Sequence, residues 1–149
     1  MLDQPSILII ILTAGGLVGV TVVIHAVGFE MLLRAMMRSH ALDTSGFRYV
    51  IPWVIGLACW LILVHLAEIS VWGLFYFWQG CLPDAESAWY FSGVTYTGSG
   101  YGDLVLSTSW RKLAPVETLT GLLMCGLSTG LFFAVVSRWI SNWMQRKPG

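Results

Sequence analysis

Three long apolar runs set the pattern of this chain, at residues 7–28, 49–78 and 119–136. The first is broken only by Thr13, Thr21 and His25, the second mainly by His65 and Glu68, and the third carries no charge. Each run reaches, or nearly reaches with its flanks, the ~20 residues needed to cross a ~30 Å hydrocarbon core. In hydrocarbon a backbone must hydrogen-bond to itself, so each run is predicted as a helix. At ~1.5 Å per residue the second run is about 45 Å long, which predicts a tilt or a projection beyond the lipid. Aromatic rings mark the water boundaries. Trp72, Phe75, Tyr76, Phe77 and Trp78 crowd one end of the second run and Trp53 marks the other, while Trp139 and Trp143 close the third.

The segment 79–117, between the second and third runs, is not a simple polar loop. Pro83-Asp84 reads as a helix start with Asp84 as N-cap. Residues 85–96 mix apolar and aromatic side chains and are too few to span. Thr97-Gly98-Ser99-Gly100-Tyr101-Gly102-Asp103 follows, with glycine alternating with larger residues. A short helix and then a glycine-rich strand, between two spanning helices, predicts a re-entrant loop. Non-helical backbone at membrane depth is tolerated only where it lines water or is buried in protein.

Composition supports the membrane reading. The chain has 149 residues, 56% hydrophobic and 11% charged, against about 25% charged in soluble domains. Lys+Arg and Asp+Glu are both 8, so charge gives no reason to expect a nucleic-acid partner. The length suits one membrane unit without a separate soluble domain. Met1-Leu2-Asp3-Gln4-Pro5 lacks the basic start of a secretory signal, so the first run is expected to be a retained helix. Cys59, Cys81 and Cys125 form no CxxC pair, so neither a disulfide framework nor a zinc site is expected of them. Cys81, at a boundary, reads as a free thiol or an intersubunit bridge.

Basic residues give an orientation. The first loop carries Arg34, Arg38 and Arg48 against Asp43, and the C-terminal tail carries Arg146 and Lys147 beyond Arg138. Two crossings separate loop and tail, so both fall on one side, the cytoplasm by the positive-inside rule. The N-terminus and the re-entrant segment are then outside.

The glycine-rich segment has a chemistry of its own. To cross lipid, an ion must exchange its water for other oxygens, and converging backbone carbonyls supply them. Gly100, Tyr101 and Gly102 aim successive carbonyls one way, because glycine takes unusual backbone angles without steric cost. One chain cannot encircle an ion, whereas four symmetric copies can, so the mechanism calls for a closed homotetramer. The C-terminal end of the short helix, near Thr95–Thr97, carries partial negative charge that favours a cation. The hydroxyls of Thr95, Thr97 and Ser99 tie the loop down. Asp103, at the outer mouth, attracts cations or braces the loop.

The stretch from Tyr90 to Asp103, Tyr-Phe-Ser-Gly-Val-Thr-Tyr-Thr-Gly-Ser-Gly-Tyr-Gly-Asp, resembles the pore helix and selectivity filter of the potassium channel family. That family typically reads aromatic-aromatic-Ser, two small or apolar residues, Thr-x-Thr, then Thr-Val-Gly-Tyr-Gly-Asp. Tyr90 and Phe91 fall where its paired tryptophans often lie, and Thr95, Thr97, Gly100, Tyr101, Gly102 and Asp103 match directly. The resemblance covers about residues 50–143. It implies K+ held at the carbonyls of Gly98, Ser99, Gly100, Tyr101 and Gly102, with no other cofactor. Gly98 replaces the filter threonine, removing a ring of four hydroxyls, and Ser99 replaces the valine. These departures predict weaker discrimination of potassium over sodium.

On the third helix, Gly126-Leu-Ser-Thr-Gly130 resembles the family's inner helix and makes Gly126 a gating hinge. Close helix packing through Gly121, Gly126 and Gly130 is the alternative. Ser128 and Thr129 are expected to line a water-filled cavity. Gly15 and Gly19 are expected to pack the first helix on the second. His65 and Glu68, three residues apart, share a helix face. Three readings stand: a buried polar pair bonded to a neighbouring helix, a proton-sensitive switch, and a metal site, for which two ligands are too few. Glu117 is expected to pair with Arg111 or Lys112, and His25 and Glu30 to lie at the interface. The first helix lacks the spaced arginines of a voltage sensor.

The expected fold is an all-α membrane protein with residues 1–48 as an added N-terminal helix and loop and 49–149 as the pore unit. Its expected role is passive potassium conduction in a cell membrane, without enzymatic chemistry. Its partners are three further copies, the lipid bilayer and monovalent cations. A weakly selective monovalent cation channel is the alternative. A scaffold or metalloenzyme built on His65 and Glu68 lacks a third ligand and a nucleophile.

Overall fold

A computed structural model describes residues 5–39, 47–106 and 109–145. Among them are four helices: α1 (Ile7–Arg38), α2 (Phe47–Trp78), α3 (Ala85–Tyr96) and α4 (Leu113–Gln145). The described residues contain no strand. Three helices, Ile7–Arg38, Val50–Trp78 and Leu113–Gln145, are long and apolar enough to cross a membrane. The all-α membrane architecture and the short third helix are therefore as predicted. Residues 1–4, Asp43, Arg146 and Lys147, which bear on the expected leader and orientation, lie outside the described residues.

The apolar runs underestimate two helices. α1 continues ten residues beyond Gly28 to Arg38, and α4 starts at Leu113, six residues before its run. Polar residues do not end a helix when they are good helix formers. Glu30 and Arg34 pair one turn apart on exposed α1, and Arg38 sits in the last turn, where the helix dipole favours a cation.

Local signals shape the turn into α3. Gly80 ends α2 with φ +63°. Its N–H donates to Phe77 O at 3.0 Å and the Cys81 N–H to Tyr76 O at 2.9 Å, which is a Schellman cap. Asp84 then caps α3 by accepting from the Ser87 N–H at 2.7 Å.

α3 lies between α2 and α4, and two glycines let it in. A Cβ on Gly73 of α2 would sit 3.1 Å from Trp89 Cα, and one on Gly121 of α4 would sit 2.0 Å from Tyr96 O. The short helix thus rests directly on the backbones of its neighbours. α1 packs on α2 through Gly28, where a Cβ would lie 2.6 Å from a Val64 methyl. There Trp60 Nε1–H donates to Gly28 O at 2.9 Å. At Gly15 and Gly19, expected to make this contact, a Cβ would meet nothing within 4 Å. The approach is made nearer the C-terminal end of α1, where the Val64 side chain occupies the place a Cβ on Gly28 would need.

The core is divided in two. One apolar cluster includes Ile69, Trp72, Tyr76, Tyr96, Leu113 and Met124. The other gathers Met36, Leu57, Leu61, Val135 and Trp139. On α2 the residues between Leu61 and Ile69 include His65 and Glu68, and on α4 Ser128 falls between Met124 and Val135. A polar layer therefore separates the two clusters.

Gly121→Ala should destabilise the protein by at least about 1–3 kcal/mol, since backbone rather than a flexible side chain blocks the new methyl. At Gly126 nothing lies within 4 Å of a Cβ, so Gly126→Ala should stay within about 0.5 kcal/mol. Thermal unfolding in detergent reads both, and equal losses would count against this packing.

Candidate functional site

α3 and the segment after it form the site. Thr97 closes α3, its N–H donating to Gly93 O at 3.2 Å. Gly98, Gly100 and Gly102 then take φ of +72°, +57° and +76°. Every second residue is left-handed, a conformation open to glycine at no steric cost. The glycines expected to aim carbonyls are the residues whose backbone requires glycine. The segment is exposed, with Tyr101 72% accessible.

The segment is braced at both ends. At its far end Tyr90 O–H donates to Asp103 Oδ2 at 2.8 Å, which holds the Tyr90 phenol above its usual pKa. At its near end Thr118 O–H of α4 donates to Thr95 O at 2.9 Å. Thr97 O–H donates to Gly93 O at 2.8 Å and its oxygen lies 3.0 Å from Ser99 Oγ. Gly98 and Gly100 N–H donate back to Thr95 O and Val94 O at 3.0 and 3.3 Å. Phe91 is buried, edge-on to Tyr76 with centroids 5.4 Å apart.

Two buried carboxylates stand behind α3. Glu117 is fully buried; it accepts from Tyr76 O–H at 2.7 Å and lies 2.6 Å from Ser92 Oγ. Ser92 Oγ also lies 2.8 Å from Ile69 O. The expected pairing of Glu117 with Arg111 or Lys112 is thus wrong. One turn of helix from Leu113 carries Glu117 inward under α3, while Arg111 and Lys112 stay exposed.

The second carboxylate, Glu68, gathers His25 of α1, His65 one turn back on its own helix and Tyr96 of α3. It meets His25 Nδ1 at 2.8 Å and His65 Nδ1 at 3.4 Å, and accepts from Tyr96 O–H. His65 also meets Tyr96 O–H at 3.1 Å through Nδ1 and Ser128 Oγ at 3.0 Å through Nε2. His65 and Glu68 are therefore part of a larger network. His25, expected at the interface, is instead 3% exposed in the polar layer, because α1 extends far past it. Ser128, expected to line a cavity, is buried against His65. Thr129 is exposed, its O–H donating to Cys125 O at 2.8 Å. Sequence reasoning missed Tyr76, Ser92 and Tyr96 as partners. The available signal was that each ionisable group inside an apolar run requires a partner.

A family model described as ion channel matches residues 62–138, from mid-α2 through α3 to α4. This chain belongs to that ion-channel family. The matched span contains α3, the glycine segment, the Glu117 network and the Glu68 network except His25, and leaves out α1. No curated protein and no solved structure matches the chain. The channel is a multi-pass membrane protein, and residues 62–138 are the part shared with the family.

A hydrogen count tests the Glu117 network. Ser92 has one proton for two acceptors, Ile69 O and Glu117 Oε1, so a proton on Oε1 completes the set. Glu117→Gln supplies such a donor and should cost less than about 1 kcal/mol. Glu117→Ala strands the buried Tyr76 hydroxyl, while Ser92 keeps Ile69 O as acceptor, and should cost about 1–3 kcal/mol. Thermal midpoints in detergent distinguish the two; a glutamine variant as weak as the alanine one would show that the carboxylate itself is needed.

Proposed function

We propose that this channel is a homotetramer that conducts K+ through a filter formed by the carbonyls of residues 98–102. The observation that carries the reading is the left-handed backbone at Gly98, Gly100 and Gly102. In an ordinary extended strand, successive carbonyls point to opposite sides. Reversing the hand at every second residue turns them toward one side. Rings of such carbonyls replace the hydration shell of a cation. The C-terminal end of α3 adds its negative dipole end at Thr97.

Exposure of the segment supports the tetramer. Polar backbone cannot face lipid, so an exposed glycine strand at membrane depth calls for water on one side and protein on the other. Beside it runs an open groove lined by Val94, Gly98, Gly102, Leu106 and Thr118, and α4 exposes Leu119, Leu123 and Phe133. Neighbouring copies would fill these surfaces. In the cell membrane the ends of α1 and α4 that carry Arg34, Arg38 and Arg138 face the cytoplasm by the positive-inside rule.

The second reading is weak selectivity, and Gly98 favours it. The threonine hydroxyl expected at the inner end of the filter is missing there. A Cβ on Gly98 has room, with Leu122 and Thr118 methyls at 3.6 and 3.8 Å. However, φ of +72° strains any L-residue, by about 1–2 kcal/mol. Gly98→Thr therefore changes the backbone as well as adding a hydroxyl.

Purified protein in liposomes should pass K+, and bi-ionic reversal potentials should clearly favour K+ over Na+. Equal permeability would support the weakly selective reading. Absence of flux for both ions would overturn conduction. Gly100→Ala, which forces a side chain onto φ +57°, should lower flux by about tenfold or more while the protein remains folded. Unchanged flux in that variant would remove the filter assignment.

A further inference from the structure

The polar layer between the two apolar clusters contains more than a hydrogen-bond network needs. His25 of α1 and His65 and Glu68 of α2 each bring a metal-ligating atom to one place. One nitrogen of each imidazole and one carboxylate oxygen lie within 4.8 Å of one another. The missing third ligand of the sequence reading is His25, delivered from the helix that lies outside the family match.

A second observation points to a ligand. His25 is 3% exposed, and its Nε2 is buried without a hydrogen-bond partner. Its Nδ1, the nitrogen that faces the cluster, meets Glu68 at 2.8 Å, so a proton on the outward Nε2 leaves the Nδ1 lone pair to share a cation with the carboxylate. Buried polar atoms in native proteins are nearly always paired, and an unpaired one marks a functional atom or a missing ion. The surrounding groups are those that hold metal ligands in place: Ser128 Oγ lies 3.0 Å from His65 Nε2, and the Tyr96 hydroxyl touches both Glu68 and His65. Such outer partners fix the orientation of ligating imidazoles and carboxylates.

We propose that His25, His65 and Glu68 form an intramembrane binding site for a divalent transition-metal ion of the zinc class. Two imidazoles and one carboxylate suit a borderline ion. Ca2+ and Mg2+ prefer an all-oxygen set, and no thiol belongs to this cluster. Three protein ligands leave a further position, which the Tyr96 hydroxyl or a water fills. The His65 side chain, 16% exposed, is the open edge of the site. A metal ion on Glu68 competes with the Tyr96 hydrogen bond. Tyr96 is the last residue of α3, directly before Thr97 and Gly98. On the proposed channel reading, occupancy therefore alters the support of the filter and changes ion flux.

Co2+ titration of the untagged full-length protein in detergent tests the site without any substitution. The expected result is one Co2+ per chain, with the visible absorption of a low-coordinate nitrogen–oxygen site, displaced by Zn2+. His25→Gln and Glu68→Gln should each weaken uptake at least tenfold, whereas Cys59→Ser and Cys125→Ser should leave it unchanged. No visible band on the wild type, or uptake that survives both His25→Gln and Glu68→Gln, would overturn the site. Flux in liposomes, compared with and without Zn2+, should change in the wild type and not in His25→Gln. Binding with no change in flux would overturn the link through Tyr96. The cobalt spectrum does not depend on conduction, so the metal site and the channel reading fail separately.

Discussion

A helix too short to cross the membrane must be held at depth by protein, and here two buried carboxylates hold it. Ser92 and Tyr96 lie one turn apart on the same face of α3. Ser92 meets Glu117 of α4, and Tyr96 meets Glu68 of α2. Gly73 and Gly121 remove the side chains that would keep the three backbones apart. Polar bonds in hydrocarbon are valuable because the alternative is an unsatisfied group. The position of α3 sets that of Thr97, and hence of the glycine segment.

Much of this arrangement was legible in the sequence. Hydropathy gave the three spanning helices, and Asp84 and the twelve residues after it gave α3. The alternation of glycines gave the segment whose backbone turned out left-handed at Gly98, Gly100 and Gly102. These features are local, set by chain length, capping and conformational freedom. What escaped the sequence is tertiary. Glu117 was assigned to nearby Arg111 and Lys112 because sequence proximity was the only guide; helix phase instead turns it inward. His25 was placed at a membrane surface because the apolar run ends soon after it, although the helix does not. Ser128 was given to a cavity because the rotation of α4 cannot be read without its neighbours.

α1 is more than an addition to a two-helix unit. It contacts α2 at three depths. Trp72 Nε1–H donates to Thr21 Oγ1 at 3.0 Å, His25 meets Glu68 at 2.8 Å, and Trp60 Nε1–H donates to Gly28 O at 2.9 Å. The first continues through the Trp72 ring to Tyr76 and Glu117, and the middle one reaches furthest. From His25 the network passes through Glu68 to Tyr96 and through His65 to Ser128, touching every helix. α1 therefore reaches the end of α3 both through these hydrogen bonds and through the apolar cluster that Ile10 shares with Tyr96.

The departures from the family pattern at Gly98 and Ser99 also have a structural logic. The usual pattern has two glycines around the tyrosine, while this chain extends the alternation inward by a third. At φ +72° a threonine would be strained, and Gly98 is not. The hydroxyl lost with threonine is partly matched by the contact of Ser99 Oγ with Thr97 Oγ1 at 3.0 Å. That contact joins the side chains on either side of Gly98. The segment thus exchanges a side-chain oxygen facing the proposed ion path for a backbone that turns more freely and is fastened locally. Were the segment the filter proposed above, an ion at this end would meet main-chain oxygens fastened by the Gly98 and Gly100 N–H bonds to Thr95 O and Val94 O and no threonine hydroxyl, the loss on which the weakly selective reading rests.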